Sequence, residues 1–415
     1  MLPMITLPII SRIIGPDKYG AINYAFAFVS YFILFINAGF DLYGCRKIVS
    51  FKDDKLKIQE LFSQITWAKT FISAFTTIAF VISLFLVEQV RQEMLVNIFT
   101  YLLCIGWILN PSWLYNGMQD SRKYSLFSFF SKLLFSIAVV FVVQQKSDYI
   151  YQPLITSLAH ILVSYISLKY ALKKYSIRLQ TVSFKSIKQT LKENKNLSII
   201  WWISNQSSST GIFIAGFMLA TMELGYYSAA FRLIVIIQSI VSMPLNTVLF
   251  PYIGSAFAKS SEEGMERVNK TLPYVVLISL GMAGGTFLVA EPLVMLFFGN
   301  AFSESILLLK ILALGLFFST INIGLGQQVM LNLKKDRLYV KFITGGFVIS
   351  ILSLLLLINI YGAIGAAIAW PFAEAIMLLG YMIYFNRHKV QVINAGYYSP
   401  KFLYSNLSAL VKSRK

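Results

Sequence analysis

Runs of about 20 residues with almost no charge recur along the whole chain, and no water-soluble core has room for so many of them. Each is long enough to cross the roughly 30 Å hydrocarbon core of a bilayer as a helix. Apolar residues make up 57% of the 415, about 237 side chains, and only 13% are charged. Soluble domains carry roughly 45–50% and about 25%, so the composition argues against a water-soluble enzyme. The same number of apolar residues is enough for about twelve crossings. Outer-membrane strands are about 10 residues long with strict alternation, which these runs lack, so the expected fold class is all-α and polytopic.

The spans read as 1–14, 21–44, 62–87, 95–118, 125–144 and 152–172, then 197–220, 227–250, 272–290, 303–328, 339–358 and 363–385. The first is short, about 21 Å at 1.5 Å per residue, which points to a truncated first helix. It has no basic stretch before its apolar run, unlike a signal peptide. The basic excess, 36 Lys and Arg against 18 Asp and Glu, is sorted by loop. Connections 45–61, 119–124, 173–196, 254–271, 329–338 and the tail hold 5, 2, 7, 3, 3 and 6 cations, 26 together; the opposite connections hold Lys18, Arg91 and Lys146. Lys and Arg collect in cytoplasmic loops, so both termini are expected in the cytoplasm, and nucleic acid is not needed to explain the charge of +18.

The organisation expected is a six-helix bundle over 1–172, a basic cytoplasmic linker 173–196, a second six-helix bundle over 197–385 and a basic tail 386–415. An internal echo supports two parallel halves: Tyr19-Gly20-Ala21-Ile22-Asn23-Tyr24-Ala25-Phe26 returns 205 residues later as Leu224-Gly225-Tyr226-Tyr227-Ser228-Ala229-Ala230-Phe231. Asp120-Ser121-Arg122-Lys123-Tyr124 and Asp336-Arg337-Leu338-Tyr339 echo each other in the same way.

Ionisable residues inside spans cost several kcal/mol unless they face a cavity or a partner. Lys69 and Lys132 lie about 10 Å in from the inner side, at 1.5 Å per residue. Arg12, Arg232 and Lys310 lie toward the outer side. A cationic stem lying along lipid with its head at the interface explains any one of them. Five together, from both halves and at both depths, suggest a water-filled cavity with cationic walls that attracts a phosphate or an acidic sugar. Asp41 and Glu374 are the candidate coupling groups or charge partners. Pro111, Pro244 and Pro371 interrupt spans, and Gly281, Gly284, Gly285, Gly345 and Gly346 permit bending or close packing. The polar run Ser204-Asn205-Gln206-Ser207-Ser208-Ser209-Thr210 lines a cavity or bonds across helices; Trp201-Trp202 and Tyr226-Tyr227 mark membrane boundaries or stack on sugar rings. Cys45 and Cys104 have no metal-type spacing, His160 and His388 are far apart, and neither a metal nor a cofactor is expected.

The stretch Leu7-Pro8-Ile9-Ile10-Ser11-Arg12-Ile13-Ile14-Gly15-Pro16-Asp17-Lys18-Tyr19-Gly20 resembles the opening of Wzx-type polysaccharide flippases, the O-antigen and capsule repeat-unit transporters of the MATE-like MOP superfamily. Pro111-Ser112-Trp113-Leu114-Tyr115-Asn116-Gly117, Gly225-Tyr226-Tyr227-Ser228-Ala229-Ala230-Phe231-Arg232 and Pro251-Tyr252-Ile253 continue the likeness in order. It implies two six-helix bundles in a V around a cationic cavity, alternating between inward- and outward-open states. The implied cargo is an oligosaccharide on undecaprenyl pyrophosphate, carried across the bacterial inner membrane toward a polymerase and chain-length partners. Arg12 and Arg232 match recurrent family cations; Lys69, Lys132 and Lys310 are added from depth and charge alone. The family's usual N-terminal stretch is absent, and Ser208-Ser209-Thr210-Gly211 stands where many relatives carry an acid before the glycine matching Gly216.

Two other functions compete. A MATE-type drug or cation antiporter would want acids in its cavity, and this chain offers one deep acid, Glu374, against five cations. A membrane glycosyltransferase or polymerase would want a sizeable outer loop with catalytic groups; the outer connections are about twelve residues or shorter, and no Asp-X-Asp, phosphate-cradling glycine loop, ATP-binding motif or serine–histidine constellation is present. The expectation is a transporter that makes and breaks no bond.

Overall fold

The computed structural model of the chain describes residues 2–51, 54–205, 207–392, 394–399 and 402. All regular structure among them is helical, as expected where no water is at hand to satisfy a backbone N–H or C=O. Nine helical segments among these residues are long and apolar enough to cross a membrane. The last, Asp336–Arg387, has 52 residues, about 78 Å if straight. It doubles back at Gly362 (φ 55°, ψ −133°), a conformation open to glycine and costly for other residues. A Cβ on Gly365 would lie 1.9 Å from the carbonyl oxygen of Leu357, although the two would be about 12 Å apart along an unbroken helix.

The first segment also hides two breaks. Leu2–Asn37 kinks at Gly15 (φ 73°), and the chain then leaves the helix at Ala38 (φ 41°) and Gly39 (φ 74°) before Phe40–Phe51 begins. The expected span 21–44 is therefore not one helix, because two successive left-handed residues end it at Asn37. The expected span 95–118 is also broken, into Met94–Tyr101, Leu103–Leu109 and Ser112–Gly117, while the remaining spans fall largely on helix among the described residues.

Contacts divide the chain into two compact units, Met1–Gly225 with Phe297–Ala301, and Tyr226–Leu296 with Phe302–Lys415. At one end of the first, Phe40, Tyr43, Ile48, Ile58, Leu61, Phe62, Ile65, Trp113, Leu114 and Tyr115 form a buried cluster. Phe62 stacks on Trp113 with centroids 6.1 Å apart, and Tyr115 donates its hydroxyl to the Ser167 carbonyl at 2.8 Å. Elsewhere in this unit the glycines of the internal echo meet. A Cβ on Gly20 would fall 2.0 Å from the Thr221 carbonyl oxygen, and one on Gly225 1.9 Å from that of Pro16, so both backbones approach as only glycine allows. Around Gly281, Gly284, Gly285 and Gly345, by contrast, a Cβ would have nothing within 4 Å, so they are not the close-packing glycines the sequence suggested.

The stretch expected as a linker is structured from Phe184 onward, where a helix runs to Asn205. Ile187, Thr190, Asn194 and Ser198 are buried, spaced three and four apart on one face. Asn194 Nδ2 and Ser198 Oγ both donate to the carbonyl of Ala38, at 2.7 and 2.6 Å. The carbonyl set free by the helix break is thus satisfied by this second helix. Glu193 adds an outer tie, accepting from Lys47 Nζ and from the Tyr43 hydroxyl, each at 2.9 Å.

In the second unit, Leu245, Ile253, Val268, Leu272, Leu325, Val329, Met330, Tyr381 and Phe385 form the buried cluster. Pro244 is followed by a π-helical turn, Leu245–Leu249, which accommodates Pro251, a residue with no N–H to donate. A second π segment, Gly324–Leu331, ends the helix that starts at Ser305. Pro371 does not interrupt its helix, which continues to Arg387. Large exposed apolar side chains, among them Phe85, Phe141, Leu288 and Ile360, are what a lipid-facing surface requires.

Two outcomes follow for the helix 184–205. Asn194→Ala removes one of the two donors to a buried carbonyl and should lower stability by about 1–2 kcal/mol, read by denaturant unfolding in detergent. The Lys47 hydrogen bond holds the Glu193 carboxyl below its ordinary 4.5, so the tie is present above that pH and lost as pH falls below it. The melting-temperature gap between the unaltered chain and Glu193→Gln should be small, constant above about pH 4.5, and close as pH drops.

Candidate functional site

The helix break at Ala38 and Gly39 sets two polar side chains at its edges: Asn37, the last residue of one helix, and Asp41, in the first turn of the next. A carboxylate is favoured at a helix N-terminus by the exposed N–H groups there. Helix Lys55–Leu86 brings Lys69 to the same place, only 1% exposed. An ammonium at that depth needs hydrogen bonds and an opposite charge. Lys69 Nζ donates to Asn37 Oδ1 at 3.0 Å and toward the Trp107 carbonyl at 3.5 Å. Asn37 Nδ2 in turn donates to Asp41 Oδ2 at 3.0 Å, so one amide stands between the cation and the anion and satisfies both.

The chain extends through a second break. Asn110 and Pro111 separate the helices Leu103–Leu109 and Ser112–Gly117, since the residue before a proline is driven out of the helical region. Ser112 then donates its hydroxyl to Asp41 Oδ1 at 2.5 Å and its N–H to Asn110 Oδ1 at 3.0 Å. Asn110 Nδ2 reaches the Tyr124 hydroxyl at 3.3 Å. Polar side chains from several helices and a break are thereby bonded in one line inside an apolar unit.

Asn37 and Trp107 also line a cavity of about 170 Å³, with Tyr31 and Trp201 as further aromatic walls and Ser30 and Ser209 as neutral polar groups. Tyr31 donates its hydroxyl to Thr210 Oγ1 at 2.8 Å. Of the polar run in the seventh span, Ser209 and Thr210 are therefore placed at this wall, while the side chains of Ser204, Asn205, Gln206, Ser207 and Ser208 lie outside the described residues. Flat aromatic faces beside neutral donors and acceptors suit a ring that is apolar on its faces and hydroxylated at its edge.

The structure joins Lys69 to Asp41 through Asn37. Arg12 is exposed and lies along Gly299, where an added Cβ would come within 3.2 Å of its Cγ. Lys132 is exposed on the helix Ser121–Val142. In the second unit Arg232 is exposed on Thr221–Pro244, and Lys310 holds its ammonium 5.6 Å from the Phe287 ring centroid. Glu374 accepts from Asn322 Nδ2 at 2.7 Å and Trp370 Nε1 at 3.1 Å. Asn37, Trp107, Asn110 and Ser112 were missed because neutral residues do not stand out in a search for charges. The sequence signal was there in Asn37-Ala38-Gly39-Phe40-Asp41, where an amide and an acid flank a glycine in an apolar run. No group of three or more metal-ligating side chains occurs among the described residues.

The family described as "Polysaccharide biosynthesis protein" matches residues 1–257, a stretch that includes this whole cluster. The chain belongs to that family. A "Putative O-antigen transporter" of Escherichia coli (strain K12) is 24% identical over 393 residues, covering 94% of each chain. One from Shigella dysenteriae is 20% identical over 386 residues, 91% of this chain and 94% of the relative. Among solved structures, an inward-facing multidrug resistance MATE family transporter of the MOP superfamily superposes with a TM-score of 0.76 at 14% identity, over 94% of both chains. The lipid II flippase MurJ, in an inward closed conformation, gives 0.74 at 14% identity over 99% of this chain and 89% of its own. The fold is one shared with these two solved structures, and the Wzx-type likeness read from the sequence stands with the family match and the O-antigen transporter relatives.

If the Asn37 relay makes Lys69 and Asp41 interdependent, removing both charges should cost less than the sum of the single losses. Lys69→Met and Asp41→Asn, alone and combined, should give a coupling of about 1–3 kcal/mol in a double-mutant cycle of unfolding free energies.

Proposed function

We propose that this chain is a flippase for lipid-linked oligosaccharide repeat units, carrying them from the cytoplasmic to the outer leaflet of the bacterial inner membrane for O-antigen, capsule or exopolysaccharide assembly. The observation that carries it is the aromatic and neutral-polar cavity held inside an otherwise apolar helical unit of a polysaccharide biosynthesis family member. Sugars are too hydrophilic to cross hydrocarbon unaided, and a cavity of this chemistry replaces their water. Both termini lie in the cytoplasm in this reading, supported by the 26 to 3 split of loop cations. The halves expected at 1–172 and 197–385, joined by 173–196, are read as two six-helix bundles.

The cations then divide by role. Arg12, Lys132, Arg232 and Lys310 supply positive charge for the pyrophosphate, which favours ammonium and guanidinium partners. Lys69 has its charge answered by Asp41 through Asn37, and so fixes the amide that faces the cavity. The prenyl tail stays in lipid while the sugars cross. No bond is made or broken, so direction comes from differential binding of loaded carrier to two states and from an outside source of free energy. Glu374, surrounded by neutral donors, is the group whose charge state such a source would alter. A polymerase and chain-length partners would take the product. An organic-cation antiporter would call for carboxylates at the cavity, and its described lining has none.

Deleting the gene should cause undecaprenyl-pyrophosphate repeat units to accumulate facing the cytoplasm while surface polymer falls, as counted by mass spectrometry. Arg232→Ala should abolish complementation with the protein still inserted, and Arg232→Lys should restore part of it. Raised drug sensitivity with no change in lipid-linked sugar would move the reading to an antiporter.

A further inference from the structure

A second cavity, about 330 Å³, opens where Phe40–Phe51, the first turns of Lys55–Leu86 and the helix Phe184–Asn205 meet. Nothing in the transport mechanism above uses it. Its charges cancel. Lys47 is paired with Glu193 at 2.9 Å, Lys57 with Asp54 at 3.1 Å, and Glu60 stands beside them holding Gln64 at 2.9 Å. The lining itself holds two ammoniums, Lys47 and Lys57, and two carboxylates, Glu60 and Glu193, so it carries no net charge. A phosphate, a pyrophosphate or an anionic lipid headgroup is therefore a poor occupant, since it would meet cations already committed to acids.

The remaining walls are amides and hydroxyls. Gln64 spans from one helix to another, donating to Ser186 Oγ at 3.0 Å, and Thr190 donates toward Gln64 Oε1 at 3.4 Å. Gln189 is exposed at the rim and donates to Glu193 Oε1 at 3.1 Å. An amide, a hydroxyl and a carboxylate in one pocket offer donors and acceptors at once, which is what a sugar hydroxyl, itself both, can pair with. Tyr43 and Phe51 add aromatic side chains to the lining.

We infer that this pocket is a loading site for the glycan, reading neutral or amino-bearing sugars before they enter the aromatic cavity. The inference rests on the flippase reading and on its orientation, which puts connections 45–61 and 173–196 on the cytoplasmic side. One helix serves both sites, with Gln189 and Thr190 at the pocket and Trp201 at the inner cavity, twelve residues or about 18 Å farther along. A glycan of a few rings can thus be handed along a single rigid element.

The test uses the full chain, purified in detergent, on an array of immobilised neutral, amino and uronic-acid oligosaccharides with a pyrophosphate-bearing spot. The unaltered chain should be retained on neutral or amino sugars. Gln64→Ala with Gln189→Ala should reduce that retention about tenfold, and Gln189→Ala alone, a rim change that leaves the core untouched, should reduce it in part. Glu60→Gln, which leaves the lining with one cation in excess, should shift retention toward uronic acids, a change that a merely structural role would not produce. Retention that follows the pyrophosphate spot, that ignores the double substitution, or that is absent on every sugar overturns the loading site. Accumulation of lipid-linked sugar in the gene deletion is read separately, so the flippase reading can stand when this one falls.

Discussion

An ammonium sealed among apolar helices must be met by acceptors on fixed geometry, because neither water nor a mobile counter-ion is at hand to correct an error. Lys69 imposes that demand on everything around it. The helix before it has to end at Asn37, so that the amide is free of the next turn. The helix after has to start at Phe40, so that Asp41 falls in its first turn. The helix at Ser112 has to be offset from its predecessor by Asn110 and Pro111, so that a hydroxyl reaches the second carboxylate oxygen. The breaks in the first unit are therefore the means by which one buried charge is made tolerable, and the wall of the inner cavity is a by-product of that solution.

Much of the fold could be read from the chain, and the failures have physical causes. Length and apolarity located the crossings because the bilayer sets a fixed thickness. The turn at Gly362 fell in the short connection 359–362 expected between two long apolar runs. Gly39 was not, since apolar residues continue on both sides of it and hydropathy carries no record of φ. The helix 184–196 was hidden for a different reason. The buried face that runs on from it holds Ile187, Thr190, Asn194 and Ser198, and the last two satisfy the Ala38 carbonyl at a helix break, so the usual apolar stripe is largely replaced by a polar one.

For the site, charge drew attention to Lys69 and Asp41 but could not show that they share Asn37. That fact depends on residues 32 positions apart meeting in three dimensions. The glycine echo behaved in the opposite way. Two similar stretches, noticed only as a faint repeat, turn out to touch at Gly20 and Gly225, where each backbone occupies the space a side chain would need.

Because the helix 184–205 passes without interruption from a charged face to Trp201 and Trp202, it behaves as an axle. Each residue of an α-helix turns the chain by about 100°. A single residue gained or lost between Ser198 and Trp201 would swing both indoles a quarter-turn or more around that axle while Asn194 and Ser198 stayed pinned to Ala38. The same insertion before Phe184, where no helix carries the rotation forward, would be absorbed. The rotational phase of the aromatic wall is thus set at the entry to the apolar segment, by an amide and a hydroxyl gripping one carbonyl.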